Sequence, residues 1–280
     1  MKKLLSLFLL SLWATTGNAQ FFNDWRDISS AITPAVNPNA DLDLGIFAAY
    51  ALNTAVGDGS PFPQIVDLSG NGFTLADCNT AVLQAAGFGN VNHVADFHSN
   101  SGDAVRGFAV NGLTPAPSLS ADVVFTVGCW VKNSNTVVNN PVFDTWGPSP
   151  GFYLGQSGGG NWTFGLKDSG NTSRFVDGPA LDTGTWHYIS GGWDGANIWF
   201  KIDSSARTTG VAVAHTHAMA DDTEIGRYAN GCGSSINTDG FVAQCFWWTN
   251  VTLSDSQLNR VYNSGNGLAT RSGGYPTGPY

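Results

Sequence analysis

Apolar and polar residues alternate most regularly in the stretch from Leu181 to Asp203. Two runs with a period of two, residues 185–193 and 197–203, flank the dipeptide Asp194-Gly195. An Asp-Gly pair between two alternating runs supplies the positive φ angles that a tight hairpin turn needs. The stretch therefore predicts an antiparallel β-hairpin, a structure that carries no functional information by itself.

Short alternating runs continue along most of the chain after residue 41. Clusters of Gly, Asn, Asp and Ser separate them at intervals of about 8 to 12 residues, which is typical of sandwiches and jelly rolls. One helical turn is predicted from Ser254, a candidate N-cap, to Asn263. The pattern predicts an all-β fold, a two-sheet antiparallel jelly-roll sandwich with one short C-terminal helical turn. Its strands are expected at 44–52, 73–75, twice within 91–106, and at 123–132, 142–145, 152–156, 162–167, 174–176, in both arms of the hairpin, and at 222–228 and 241–248.

The two ends of the chain differ from this β region. Residues 1–19 have two lysines, an apolar run and a small-residue site ending at Ala19, so they predict a signal peptide and a secreted, extracellular protein. Residues 20–41 read either as an N-terminal arm or linker, or as an extra edge element that packs through the aromatic residues of FFNDW. The jelly-roll domain is expected at 42–270 and a flexible Gly/Pro-rich tail at 271–280.

The charge of the chain excludes some partners. It has 12 Lys and Arg residues against 21 Asp and Glu, a net charge of -9 at pH 7, and no basic stripe. Binding to a phosphate backbone needs clustered Lys and Arg, so we expect no nucleic acid partner. No segment after the leader is apolar for long enough to span a bilayer, so we also expect no membrane insertion.

Cysteine usage suits an oxidising compartment. Four cysteines behind a signal peptide predict two disulfides, with three possible pairings. Cys129 and Cys245 both lie in the middle of predicted strands, whereas Cys78 and Cys232 lie in turn-rich stretches. We therefore expect a Cys129–Cys245 pair and a Cys78–Cys232 pair.

Four segments, in order along the chain, resemble the concanavalin A-like lectin/glucanase superfamily, and in particular its laminin G-like and pentraxin-like jelly-roll domains. The last strand departs from the usual pattern, since Ala243-Gln244 stands in place of a common acidic pair, and Ile202-Asp203-Ser204 lacks the usual Asp-Gly. The four segments are an opening strand with the DLSGNG turn at 67–72, the FTVGCWVK strand at 125–132, the GTWHY hairpin at 184–203, and the last strand with its helical turn at 240–268.

The resemblance raises hydrolysis first, because the superfamily includes β-glucanases. Their catalytic pair, as the resemblance implies it, consists of two Glu residues two or four apart on one strand, and Glu224 is the single Glu of this chain. The adjacent pair Asp221-Asp222 is the remaining candidate, but neighbouring strand residues point to opposite faces. No G-x-S-x-G motif occurs either, so we expect no enzymatic activity.

The resemblance also implies a calcium site, since laminin G-like and pentraxin-like domains often hold this ion. Asp67, Ser69 and Asn71 lie in the matching turn, and Asp239 precedes the last strand. Calcium prefers such oxygen ligands, so calcium is the expected cofactor. The alternative is that Asp67 simply caps its own turn.

Aromatic residues beside polar loops suggest where a sugar could bind. Trp146, Tyr153 and Trp162 lie next to stretches rich in Gly, Asn and Ser, and sugar faces stack on exposed aromatic rings. Core packing is the alternative for Trp146 and Trp162, because most of the ten Trp residues must be buried.

These observations predict a secreted, non-catalytic, laminin G-like module that binds a glycan or a glycosylated surface, with calcium as its expected cofactor. The alternative is an extracellular structural or assembly protein whose jelly roll serves self-association in a matrix, a filament or a virion surface.

Overall fold

The computed structural model describes residues 40–52, 64–77, 82–84, 87–91, 94–97, 108–109, 121–134, 140–146, 151–167, 170, 172–180, 182–214, 223–227 and 238–268. The predicted signal peptide, most of the N-terminal arm and the C-terminal tail lie outside these residues. So do the predicted Cys78–Cys232 pair and Asp221-Asp222.

The first of two antiparallel sheets, sheet A, is built on the longest strands. Its order is β14-β13-β12-β7-β16-β5-β4, and β1 pairs with the far part of β16. The strands of sheet A are β1 (Ile46–Tyr50), β4 (Val82–Gln84), β5 (Val94–Asp96), β7 (Phe125–Asn133), β12 (His187–Trp193), β13 (Asn197–Ile202), β14 (Thr208–Ala212) and β16 (Gly240–Thr249).

Sheet B packs against sheet A and has the order β11-β10-β9-β8-β15-β6-β3-β2. Three of its strands are only two residues long, and the longest, β11, lies at an edge. The strands of sheet B are β2 (Gln64–Ile65), β3 (Leu75–Asp77), β6 (Phe108–Ala109), β8 (Pro141–Asp144), β9 (Phe152–Gln156), β10 (Asn161–Lys167), β11 (Ser173–Ala180) and β15 (Glu224–Ile225).

The predicted hairpin is confirmed as β12 and β13. Its register runs from Ile189 opposite Ile202 to Trp193 opposite Ile198. In the turn, Asp194 Oδ1 accepts hydrogen bonds from the backbone N–H groups of residues 196 and 197 at 2.9 and 2.7 Å. Gly195 has φ +101°, a backbone angle that side chains disfavour. Asp and Gly at these two positions therefore close the turn.

The main core fills the space between the sheets. Alternate residues of each central strand point into it, as predicted for β7, where Phe125, Val127, Cys129 and Val131 share one face. The opposing side chains of sheet B include Phe152, Leu154, Trp162, Phe164 and Leu166. The observed two-layer antiparallel sandwich confirms the predicted fold class.

The outer face of sheet A carries a second apolar cluster, and the one α-helix of the described residues covers it. Helix α1 (Asp255–Tyr262) buries Leu258 and Val261 against this face, where Trp130, Trp199 and Trp248 also lie. Ser254 caps the helix in a capping box with Gln257, as the sequence predicts for Ser254. None of the helices in the described parts of the chain has the length and hydrophobicity of a membrane-spanning segment.

Candidate functional site

The outer face of sheet B presents a continuous row of residues across its strands. Glu224 pairs with Asp144, Asp144 with Tyr153, Tyr153 with Gly165, and Gly165 with Phe175. Directly opposed residues on neighbouring strands point to the same face, so these five form one line on the outer side of the sheet, where Glu224 and Asp144 are themselves fully buried. The row becomes aromatic as it approaches the edge strand β11.

The glycine of the row, Gly165, leaves space for two aromatic rings. A Cβ atom at Gly165 would lie 2.6 Å from the Phe175 ring and 3.1 Å from the Trp146 ring. Contacts of 2.6 Å are not tolerated by real Cβ atoms, so any larger residue would displace the Phe175 ring. Gly165 therefore forms the floor under both rings.

These rings line a pocket of about 420 Å³. The β9–β10 turn forms one wall, and β11 supplies the other. Phe175 is 47% exposed, whereas Trp146 and Tyr153 are only 6% and 7% exposed. The free ring face at this site therefore belongs to Phe175. The lining residues are Trp146, Tyr153, Gln156, Ser157, Gly158, Gly159, Phe175 and Asp177.

Trp146 supports Phe175 by stacking against its ring. The two rings stack with centroids 5.3 Å apart at an interplanar angle of 24°. Trp146 also meets the edge of Tyr153 at 6.3 Å, and the Nζ atom of Lys167 lies 5.2 Å from its ring centroid. Aromatic pairs and cation–π contacts of this kind hold a ring in place. Trp146 thus holds the exposed ring of Phe175 in position.

The carboxylate of Asp177 lies beside the rings of Trp146 and Phe175 in the pocket. Asp177 follows Phe175 by two residues on β11, so it points to the same face about 7 Å further along the strand. It is exposed, and no ion pair or side-chain hydrogen bond to another described residue occupies it. Among the described residues that line the pocket, Asp177 is the one charged side chain. An apolar ring face beside a free carboxylate can stack on a sugar ring and accept hydrogen bonds from its hydroxyl groups.

The prediction of Trp162 as a surface stacking residue is wrong. Trp162 is 1% exposed and belongs to the core between the sheets. It alternates with Thr163 on β10, so its side chain points to the opposite face from Gly165. Trp146 and Tyr153 do line the pocket, but both are buried, so neither offers the exposed stacking face that was predicted for it.

Sequence reasoning missed Phe175 and Asp177. The prediction of β11 covered only 174–176, whereas the strand extends over Ser173–Ala180. A strand of that length would have placed the two side chains on one face through the period of two. The alternation of Phe175, Val176 and Asp177 was the available signal.

The DLSGNG turn is held by the Asp67 carboxylate. Oδ1 accepts from the backbone N–H groups of Ala49 and Ser69 at 3.0 and 2.9 Å. Oδ2 accepts from the Ser69 hydroxyl at 2.8 Å and from the Phe73 N–H at 3.1 Å. Asn71 Nδ2 donates to the Phe47 carbonyl at 2.9 Å. Both oxygens of Asp67 thus cap the turn and hold it against β1. This is the role that the sequence offered as the alternative to a calcium ligand.

Asp239 does not join this turn. Asp67 is hydrogen-bonded to Ala49, which pairs with Phe246, and Asp239 lies seven residues before Phe246. Along an extended strand this separation is roughly 20 Å. The prediction of one ion held by Asp67, Ser69, Asn71 and Asp239 together is therefore wrong. Calcium at the turn alone stays a prediction, and no cluster of three or more His, Cys, Asp or Glu residues suited to a metal occurs in the described residues.

The predicted Cys129–Cys245 disulfide is confirmed. It joins β7 and β16, the two central strands of sheet A, and both residues are fully buried.

Glu224, the single Glu of the chain, takes part in a buried ion pair. Its Oε2 atom lies 3.0 Å from Nε of Arg227, and both side chains are fully buried. Burial lowers the pKa of Arg227, and the Glu224 charge opposes that change. Charges removed from water in this way are held as a pair, so Glu224 has a structural partner on sheet B.

His187 joins two loops at one end of the sandwich. Nδ1 lies 2.7 Å from Asp203 Oδ2, and Nε2 lies 2.8 Å from Asp182 Oδ1. Burial alone would lower the pKa of His187, but the hydrogen bonds and charges of Asp203 and Asp182 outweigh it and raise the pKa above 6.5. The ring thus links the β11–β12 loop to the β13–β14 turn.

Comparisons with known proteins agree on the fold. A laminin G-type family model, described as the concanavalin A-like lectin/glucanases superfamily, matches residues 108–259, more than half of the chain. No curated protein matches the chain in sequence.

Several solved structures are similar. Domain 4 of AbnA, an extracellular GH43 arabinanase from Geobacillus stearothermophilus in complex with arabinotriose, matches with a TM-score of 0.55 and 18% identity over 77% of this chain and 97% of that one. The binding domain of botulinum neurotoxin serotype D matches with a TM-score of 0.53 and 14% identity over 85% of this chain and 56% of that one. A structure concerning the dependence of botulinum neurotoxin type C cell entry on two ganglioside molecules has a TM-score of 0.55 and 11% identity, over 80% and 52% of the two chains.

This chain spans just over half the length of those toxin chains. At such low identities the likenesses show the fold alone. The family match and the two stacked antiparallel sheets together show that the chain belongs to the concanavalin A-like lectin/glucanases superfamily.

Proposed function

We propose that this protein is a secreted, non-catalytic module that binds carbohydrate in the pocket on the outer face of sheet B. The observation that carries the proposal is the exposed ring of Phe175, supported by Trp146 and flanked by the free carboxylate of Asp177. Buried apolar area favours binding of the sugar ring, and the carboxylate gives it a defined orientation.

Two further observations support a binding role. The similar arabinanase domain was solved with arabinotriose, and a similar toxin depends on gangliosides for cell entry. The one Glu of the sequence is engaged by Arg227 and is fully buried, which does not suit a catalytic acid that must reach a substrate. An extracellular location fits the Cys129–Cys245 disulfide and the predicted signal peptide.

A glycan array followed by calorimetric titration tests the proposal. We expect the wild-type chain to retain an oligosaccharide, and Phe175→Ala to weaken that binding roughly fivefold or more, since an aromatic stacking contact contributes about 1 kcal/mol in addition to burial. Leu44→Ala is the matched control, because Leu44 is also an exposed apolar residue (69%) but precedes β1 in sheet A. Equal loss in both variants, or no retained glycan, would contradict the proposal.

Calcium dependence of this binding stays a prediction. The same titration with and without a chelator tests it, together with the melting temperature of the protein. Unchanged affinity and melting temperature after chelation would contradict a role for calcium in binding.

Self-association is the second candidate function, and one observation favours it. Strand β14 (Thr208–Ala212) lies at the edge of sheet A, is largely exposed and contains no charged residue, although charges commonly protect such edges from pairing. Light scattering over a range of concentrations tests this candidate. We expect Val211→Lys to abolish any self-association through β14, and a monomeric wild-type protein at all concentrations would exclude it.

A further inference from the structure

The charge of the pocket wall bears on which glycans the pocket can take. Asp177 is exposed, lies on the same face as Phe175, and has no described partner that neutralises it. The Nζ atom of Lys167 lies over the Trp146 ring, and no described Lys or Arg is among the residues that line the pocket. A sugar ring stacked on Phe175 would therefore present its substituents to a negative charge about 7 Å away along β11.

Neutral sugars and acidic sugars respond to such a wall in opposite ways. Hydroxyl groups donate hydrogen bonds to a carboxylate, and charge-assisted bonds of this kind are stronger than neutral ones. A uronate, sialate or sulfate group has only acceptor oxygens and a charge of the same sign, so it is repelled. The net charge of -9 on the whole chain adds a repulsion at longer range.

We infer that the pocket takes neutral sugars and that Asp177 excludes acidic glycans from it. The inference rests on the proposed carbohydrate-binding function and assigns a specificity-determining role to Asp177. Two like charges about 7 Å apart in water repel each other enough to weaken binding roughly threefold, and a less polar pocket increases this factor. The repulsion weakens with salt, because the screening length falls from about 10 Å at 0.1 M to about 3 Å at 1 M.

The experiment compares each neutral oligosaccharide that the wild-type protein retains on an array with its counterpart oxidised to the uronate at C6. Affinities are measured by calorimetry at low and high salt for wild type, Asp177→Asn and the control Asp122→Asn. Asp122 is also exposed, has φ +59°, which Asn tolerates, and precedes β7 at the other end of the sandwich. The control thus removes one negative charge without touching the pocket.

We expect wild type and Asp122→Asn to prefer the neutral sugar by roughly threefold or more, with the preference shrinking at high salt. Asp177→Asn should bind the neutral sugar several-fold more weakly and should lose the preference. If wild type binds the uronate as well as the neutral sugar, and Phe175→Ala abolishes both, the inference fails while the proposed function stands. An unchanged preference in Asp177→Asn also overturns the inference. If wild type binds no glycan at all, the proposed function itself fails.

Discussion

At the scale of single residues, His187 makes the stability of the protein depend on pH. Its protonated ring bridges Asp182 and Asp203, and these carboxylates raise its pKa in the folded protein. Because the folded pKa lies above the unfolded value, this contribution is complete below about pH 6.5 and disappears as the pH rises through the folded pKa.

We therefore expect the melting temperature to fall between about pH 6 and pH 8 more steeply in wild type than in His187→Gln. Asp182→Asn should also make the melting temperature depend less on pH. Asp182 is half exposed, and its one ion pair among the described residues is with His187. Asp203 also accepts a backbone hydrogen bond from Tyr188, so its replacement is a less specific test. Identical curves for wild type and His187→Gln would contradict this account of the ring.

Asp67 is the residue on which the turn after β1 depends. Asp67→Ala would leave the buried N–H groups of Ala49 and Phe73 without acceptors, at a cost of about 2 to 4 kcal/mol in the free energy of unfolding. Urea unfolding of wild type and variant measures this difference. A loss below about 0.5 kcal/mol would show that water satisfies these groups equally well.

The candidate site could be predicted only in part from single residues. Trp146 and Tyr153 were found because they are aromatic and lie beside polar turns, but the sequence does not say which face of β10 is covered. Trp162 points between the sheets and Gly165 points out, and a shift of one residue exchanges the two faces. Phe175 was missed because its exposure results from its place on an edge strand, which sequence alone does not identify.

At the scale of elements, the cap of α1 offers a clean test. Ser254 accepts a hydrogen bond from Gln257 N–H, and the Gln257 side chain accepts one from Ser254 N–H at 2.8 Å. We expect Ser254→Ala to reduce the free energy of unfolding by about 1 kcal/mol. Asn259→Ala, an exposed change within the same helix, should cost nothing or stabilise slightly, because Ala is the better helix former. Equal effects of the two substitutions would mean that the box contributes nothing.

The two sheets approach closely where glycine faces an aromatic ring. A Cβ at Gly191 on β12 would lie 2.4 Å from the Phe164 ring of sheet B. Gly191→Ala should therefore destabilise the protein by about 1 to 3 kcal/mol through overpacking. Gly159→Ala is the control, since the nearest atom to its Cβ would be 3.6 Å away. A neutral effect of Gly191→Ala would show that the sheets can separate locally at no cost.

The long strands and the hairpin could be predicted because their alternation extends over five or more residues. The strands β2 and β6 have two residues each, which is too short for any period to appear. Strand β11 was predicted too short because it contains Gly178-Pro179, residues that normally end a strand but are tolerated at an edge.

At the scale of the whole molecule, the Cys129–Cys245 disulfide joins positions 116 residues apart in sequence. The chain-entropy estimate for a loop of about 100 residues is about 4.7 kcal/mol. Replacing both cysteines with alanine should lower the free energy of unfolding by several kcal/mol, measured by urea titration without reductant so that other cysteines are unaffected. A loss below about 1 kcal/mol would mean that the two strands constrain each other without the bond.

Binding of a glycan on the outer face of sheet B is tested by titrating the ¹⁵N-labelled protein with an oligosaccharide selected on the array. If the glycan binds there, chemical-shift changes will be concentrated at the Trp146 indole N–H and the backbone N–H groups of Gly158, Gly159 and Asp177. No comparable changes are expected at the Trp130 and Trp199 indoles on the outer face of sheet A. Changes confined to sheet A, or no changes at saturating sugar, would contradict binding on sheet B.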